Sequence, residues 1–235
     1  HFLFMTSFNK KFTRLRQDHG LSGLVQAVSF KFLTSIFHIP SRKIAVFNGI
    51  AVRGTSLYSK IDIFPEHEVE LIAAIRNYIK NGEKVLVIGG GSGASTVVVA
   101  HQVGNTGSVI TYEGNLNSVN VVKDTINLNK VNDRVLVNHT IVEEPVHLMG
   151  ELKNASTLAA KDFPDCDVLV MDCEGAELPI LQNIKIKPRL IIVETHPMFN
   201  SPKSKIIPLL NKLDYEIVSS DARREFIDVL SAKLK

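Results

Sequence analysis

The chain of 235 residues has no stretch of 18 unbroken apolar residues, so no segment reads as a helix suited to the hydrocarbon core of a bilayer. Its amino end lacks a short apolar run closing on a small-residue cleavage site, so no secretory leader is expected. Met5 is then the expected natural start, with His1-Phe2-Leu3-Phe4 an added remnant. Cysteine is scarce. The two thiols, Cys166 and Cys173, flank an expected strand. In extended chain at about 3.3 Å per residue they stand roughly 23 Å apart, too far for a disulfide. Two free thiols fit a reducing compartment, and a cytoplasmic location is expected. Internal repeats and low-complexity segments are also missing. So are compact metal-ligand spacings such as His-x-x-x-His or Cys-x-x-Cys, and no residue is assigned to a metal. Asp172, Glu194 and His196 nevertheless offer oxygen and nitrogen ligands near neighbouring strand ends.

Hydrophobic residues make up 45% of the chain and charged residues 22%, ordinary values for a globular protein. The length suits one α/β domain with an appendage. We place the boundary at residue 60: residues 1–60 form a basic, amphipathic extension and residues 61–235 the main domain. The formal charge of +3 is uneven, because residues 1–43 carry seven basic side chains and one acid, a net +6 that leaves −3 for the rest. Within that arm Leu21, Leu24, Val25, Val28, Phe32 and Ile36 recur at helical spacing. Such a helix is expected to pack on the main domain or on a second subunit, the latter giving a homodimer. Peripheral contact with an anionic membrane surface is the second reading. No aromatic–basic alternation points to nucleic acid.

Beyond the arm, strand and helix alternate. Residues 44–58 suggest a small hairpin around Asn48-Gly49. Residues 65–82 form an expected helix that opens on Pro65-Glu66-His67-Glu68 and closes on Asn81-Gly82. Expected strands then cover residues 84–88, 108–112, 134–138, 167–171 and 189–193, with two more at 215–219 and 225–230. Helices are expected over 94–103 and 116–128, from about 176, and over 202–213, where Pro208 predicts a break or kink. The pattern implies a mostly parallel, seven-stranded Rossmann-like sheet with helices on both faces. Ligands of such sheets bind beyond the carboxyl ends of the strands.

The most informative stretch is Lys-Val-Leu-Val-Ile-Gly-Gly-Gly-Ser-Gly-Ala at residues 84–94. A buried parallel strand turns into a helix through a loop with almost no side chains, which exposes backbone N–H groups to an anionic ligand. Gly89-x-Gly91-x-x-Ala94 satisfies the dinucleotide fingerprint, and Glu113 follows Ala94 at a distance that suits a ribose hydroxyl. S-adenosylmethionine needs the same two devices, so the loop alone leaves a nicotinamide-dependent oxidoreductase open. No Tyr-x-x-x-Lys pair supports hydride transfer, however.

Other segments separate these readings. Met171-Asp172-Cys173-Glu174-Gly175-Ala176-Glu177 resembles the Asp-x-Glu-Gly-Ala-Glu signature of FkbM-type methyltransferases, a class I S-adenosylmethionine-dependent family. Glu113 matches the family's acid at the end of strand two. Ile126-Asn127-Leu128-Asn129 resembles a shortened Asn-x-x-Leu-Asn helix end, and Val193-Glu194-Thr195-His196 resembles its Val-Glu-x-His end of strand five. The resemblance runs over residues 62–220. The chain departs from the pattern at Val87, Gly91 and Gly114, where the family usually has aspartate, asparagine and proline. Such departures leave room for a non-catalytic binding module with a methyltransferase-like fold.

The resemblance implies S-adenosylmethionine as cofactor and methyl transfer to an oxygen of a sugar, glycolipid or natural-product-like acceptor. On that reading Gly89, Gly90, Gly91, Gly93, Glu113, Ile141, Val142 and Asp172 hold the cofactor, with Ile141 and Val142 sandwiching the adenine. Asp172, Glu174 and His196 are the catalytic candidates. His196 is the general base by residue type, because imidazole titrates near neutrality. His101 and His139 read as ordinary helix and strand-end residues.

Overall fold

The computed structural model describes residues 42–56, 59–143, 154–224 and 227–235. The basic helix expected within residues 1–41 lies outside them, and so do Pro145 and its neighbours. The chain divides into two compact units, residues 1–43 with 56–59 and residues 44–55 with 60–235. The second unit carries the main sheet and the site.

A small sheet comes first, in the order β2-β1-β3, from β1 (Arg42–Phe47), β2 (Ile50–Ser56) and β3 (Ile63–Phe64). Asn48 and Gly49 join β1 to β2 with positive φ at both residues, 47° and 84°. That is the backbone twist a two-residue hairpin requires. The small sheet spans residues 42–64, across the boundary drawn at residue 60, and Ala45, Ile50 and Val52 are buried in the main core.

Among the described residues the main sheet has eight strands, one more than expected, in the order β10-β11-β9-β8-β4-β5-β6-β7. Its parallel part is β4 (Lys84–Ile88), β5 (Ser108–Glu113), β6 (Val135–Val142), β7 (Ser156–Leu158), β8 (Val168–Met171) and β9 (Leu190–Glu194). The antiparallel hairpin of β10 (Tyr215–Arg224) and β11 (Ile227–Leu234) closes one edge against β9. Helices α1 (Val69–Tyr78), α2 (Ala94–Val103), α3 (Leu116–Leu128), α4 (Glu177–Asn183) and α5 (Lys203–Lys212) connect the strands.

The strands are apolar throughout because both faces are covered. Val85, Val87, Val168, Val170 and Ile192 pack toward α1, α2 and α3, whereas Leu86, Ile88, Leu169, Met171 and Ile191 pack toward α4 and α5. Each fully buried Val, Leu or Ile contributes about 1.5–3 kcal/mol, so the two alternating sets fix the register of every central strand.

Two expectations about elements fail for identifiable reasons. β6 continues four residues past Asn138, because β7 supplies a partner on its far side: Thr140 pairs with Ser156 in register, and their hydroxyls are 2.8 Å apart. Helix α5 runs through Pro208 without a break. The carbonyl that loses its donor there belongs to Ser204, which is exposed like Pro208, so water meets the orphaned group.

Candidate active site

The carboxyl ends of five adjacent strands, β9, β8, β4, β5 and β6, build one rim. β4 enters the loop of Gly89 to Gly93 at its centre. Gly89 has φ +91°, and a Cβ there would stand 1.9 Å from the Asp172 carbonyl oxygen, so only glycine lets this loop pass the end of β8. A Cβ at Gly91 would meet nothing within 4 Å, so the tip of the loop faces open space.

Glu113 ends β5 and is buried at 8% exposure. Its Oε2 accepts hydrogen bonds from Gly90 N–H at 2.9 Å and Gly91 N–H at 3.0 Å, and its Oε1 accepts one from Asn115 N–H at 2.8 Å. The carboxylate therefore shapes the glycine loop as well as facing the rim. A carboxylate has about four lone-pair sites, and these three bonds leave one for a ribose hydroxyl, so the residues present fit an adenosine-bearing ligand. His139 stands beside Glu113 in register on β6, with its Nε2 3.1 Å from the Gly114 carbonyl. Ile141 and Val142 lie within β6 rather than after it, both buried, and Val142 packs in the core with Tyr112 and Phe163.

On the other side of β4, the Asp172–Glu177 segment folds around its last residue. Glu177 is fully buried. Its Oε1 accepts from Cys173 N–H at 3.2 Å and its Oε2 from Gly175 N–H at 2.9 Å, so the carboxylate closes the turn that starts α4. The same Oε1 lies 2.8 Å from His196 Nδ1. The other ring nitrogen, Nε2, is 3.3 Å from Asp172 Oδ1 and 3.8 Å from Glu194 Oε1. Burial alone would lower the His196 pKa, but the hydrogen bonds to Asp172 and Glu177 override it and raise the pKa to about 10. An imidazolium wedged between carboxylates has no lone pair for a substrate proton. The role expected from residue type, general base, therefore does not suit the ring in this state.

Glu174 holds a left-handed backbone, φ 49°, a strained conformation for a residue with a side chain. Burial raises its carboxyl pKa first, and the charges of Asp172 and Glu113 add to the shift, against the pull of His196. Glu174 thus senses acids on both sides of β4. Glu113 and Asp172 share one rim, as expected from the sequence. Glu177 was absent from the expected site, although it stands in the signature; a lone buried glutamate among apolar α4 residues was the available signal. Asn129, at the end of α3, donates through Nδ2 to the Ala51 carbonyl at 2.7 Å and so ties that helix to the small sheet.

Residues 152–217 match the family model of the methyltransferase FkbM domain, and residues 64–141 match that of protein-L-isoaspartate(D-aspartate) O-methyltransferase. A search of curated proteins returns no match. Among solved structures, the fold is similar to Pyrococcus horikoshii TYW2 in complex with MeSAdo, with TM-score 0.55, 18% identity, and coverage of 83% of this chain and 72% of that one. It is similar to aTrm5 in its complex with tRNALeu, with TM-score 0.55, 14% identity and coverage of 83% and 53%. A third likeness is to an S-adenosylmethionine-dependent O-methyltransferase from Thermotoga maritima, with TM-score 0.50, 15% identity and coverage of 76% and 69%. The two family models divide the rim between them, β4, β5 and β6 falling in the one and β8 and β9 in the other, and both are methyltransferase models: the chain is an S-adenosylmethionine-dependent methyltransferase, with residues 152–217 matching the FkbM type.

Proposed function

We propose that the chain methylates a hydroxyl oxygen, with a sugar, glycolipid or natural-product-like molecule as acceptor. The observation that carries this reading is the cluster of carboxylates on one rim: Glu113 on one side of the glycine loop, Asp172 and Glu174 on the other. S-adenosylmethionine supplies a methyl group already activated on a sulfonium. The protein's part is to align the acceptor and remove its proton.

Gly89, Gly90, Gly91 and Gly93 give the cofactor a surface without side chains, and Glu113 accepts from its ribose. Asp172 faces the cofactor's positive end or the acceptor. Glu174 is the base we assign to the hydroxyl, because burial and its acidic neighbours move its pKa up toward the range where a carboxylate takes a proton. His196 acts through Asp172, whose carboxylate it holds in place. Ile141 and Val142 remain the residues assigned to the adenine, now as part of β6.

Calorimetry tests the cofactor half. The protein should bind S-adenosylmethionine and its demethylated product but not NAD. Glu113→Ala should weaken that binding about 10- to 150-fold, from the 1.5–3 kcal/mol of a hydrogen bond to a charged group. An unchanged dissociation constant removes Glu113 from the site. Methyl transfer from labelled cofactor, profiled in an extract of the source cells, tests the acceptor half; label recovered in nucleic acid or on protein carboxyl groups would refute the hydroxyl acceptor proposed.

A further inference from the structure

The acid–imidazole group at the ends of β8 and β9 has the features of a metal centre. Asp172, Glu194 and His196 each offer one ligand atom, and the three atoms lie within 4.8 Å of one another. Ligands bound at 2.0–2.2 Å around one ion stand about 3–3.5 Å apart in octahedral or tetrahedral geometry. The separations of 3.3 Å from Nε2 to Asp172 and 3.8 Å from Nε2 to Glu194 are close to that span. The charge also matches, since two carboxylates and a neutral imidazole neutralise a divalent cation.

A second observation comes from outside the three ligands. Glu177, buried completely and anchored by two backbone N–H groups, holds Nδ1 and thereby points Nε2 at the two carboxylates. A carboxylate on the far nitrogen is the arrangement that orients metal-ligating histidines.

We propose that Asp172, Glu194 and His196 bind one divalent transition-metal ion, with Mn2+ the best match to two hard oxygens and one imidazole nitrogen. The ion replaces the Nε2 proton, which leaves to solvent, while Nδ1–H stays on Glu177. Three protein ligands leave open positions toward the rim. If the hydroxyl acceptor proposed above is right, its oxygen fills one of them, and the ion helps that hydroxyl lose its proton. Binding of the ion itself does not rest on that reading.

Electron paramagnetic resonance on the full chain titrated with Mn2+, without cofactor or acceptor, gives the test. One ion per chain should bind, and electron spin-echo modulation should show one coordinated nitrogen. Glu194→Gln and His196→Ala should abolish the bound signal, and Glu177→Gln should weaken binding about 10- to 100-fold. No bound Mn2+ at millimolar concentration overturns the proposal. So does a bound signal without nitrogen coupling, a measurement on the unaltered protein that no folding defect can confuse. Calorimetry with S-adenosylmethionine on the same sample separates this failure from failure of the methyl-transfer reading.

Discussion

Glu177→Gln is the sharpest probe of how the site is held together. The substitution keeps the shape of the side chain but replaces one carboxylate oxygen with an NH2 group. Glu177 is fully buried and accepts from Cys173 N–H and Gly175 N–H, with His196 Nδ1 at 2.8 Å. A glutamine oxygen can serve one side of this arrangement, but the amide nitrogen must then face another donor. Removing one partner of a buried ion pair costs about 3–5 kcal/mol. For a chain of this size 1 kcal/mol moves Tm by about 2–4 °C, so Tm should fall by about 6–20 °C. Thermal unfolding followed by circular dichroism and calorimetry measures it, with urea titration as the independent check. The His196 ring keeps Asp172 but should lose the charge of its second carboxylate partner, so its titration, followed by NMR in metal-free protein, should move down from about 10. A Tm within 2 °C of the parent (below about 1 kcal/mol), together with an unmoved His196 titration, would refute the claim that Glu177 is the strut of the cluster.

Two further predictions concern the loop and the thiols. Gly89→Ala forces a Cβ toward the Asp172 carbonyl at positive φ. It should lower stability by more than the roughly 1–2 kcal/mol of left-handed strain alone and abolish S-adenosylmethionine binding. A parental urea midpoint with parental affinity would contradict it. Burial pushes the Cys166 thiol up from 9.0 to about 12, and Cys173 is raised well above its ordinary value for the same reason. At pH 8 the native thiolate of Cys166 is then about a thousandfold scarcer than that of an unshifted thiol, so it should react with disulfide reagents only after unfolding. Because the folded pKa is the higher one, the unfolded chain releases its proton first, and stability should fall as pH rises from about 9 toward 12. Rapid labelling of native protein at pH 8 would count against this.

Much of the fold was legible because period and punctuation agreed. Residues 84–88, 94–103 and 116–128 are elements in the structure with the bounds read from the sequence, since each apolar run ends at glycine or asparagine. What was hidden depended on partners distant in sequence. The extra length of β6 requires β7, whose three residues carry no strand signal of their own. The unbroken run of α5 through Pro208 required knowing that Ser204 is exposed. In the site, the rim positions of Glu113, Asp172 and His196 followed from strand ends. The raised pKa of His196 did not, because it depends on Asp172 and Glu177 reaching the two ring nitrogens from different elements.

The approach of Gly89 to Asp172 makes the two halves of the rim mechanically inseparable. Backbone meets backbone there with no side chain between them to yield, so any shift of the acidic turn is passed straight into the nucleotide loop. Altering acceptor preference by rebuilding residues 172–177 should therefore disturb cofactor affinity as well, and directed evolution of this enzyme would do better to begin from walls that do not touch that seam.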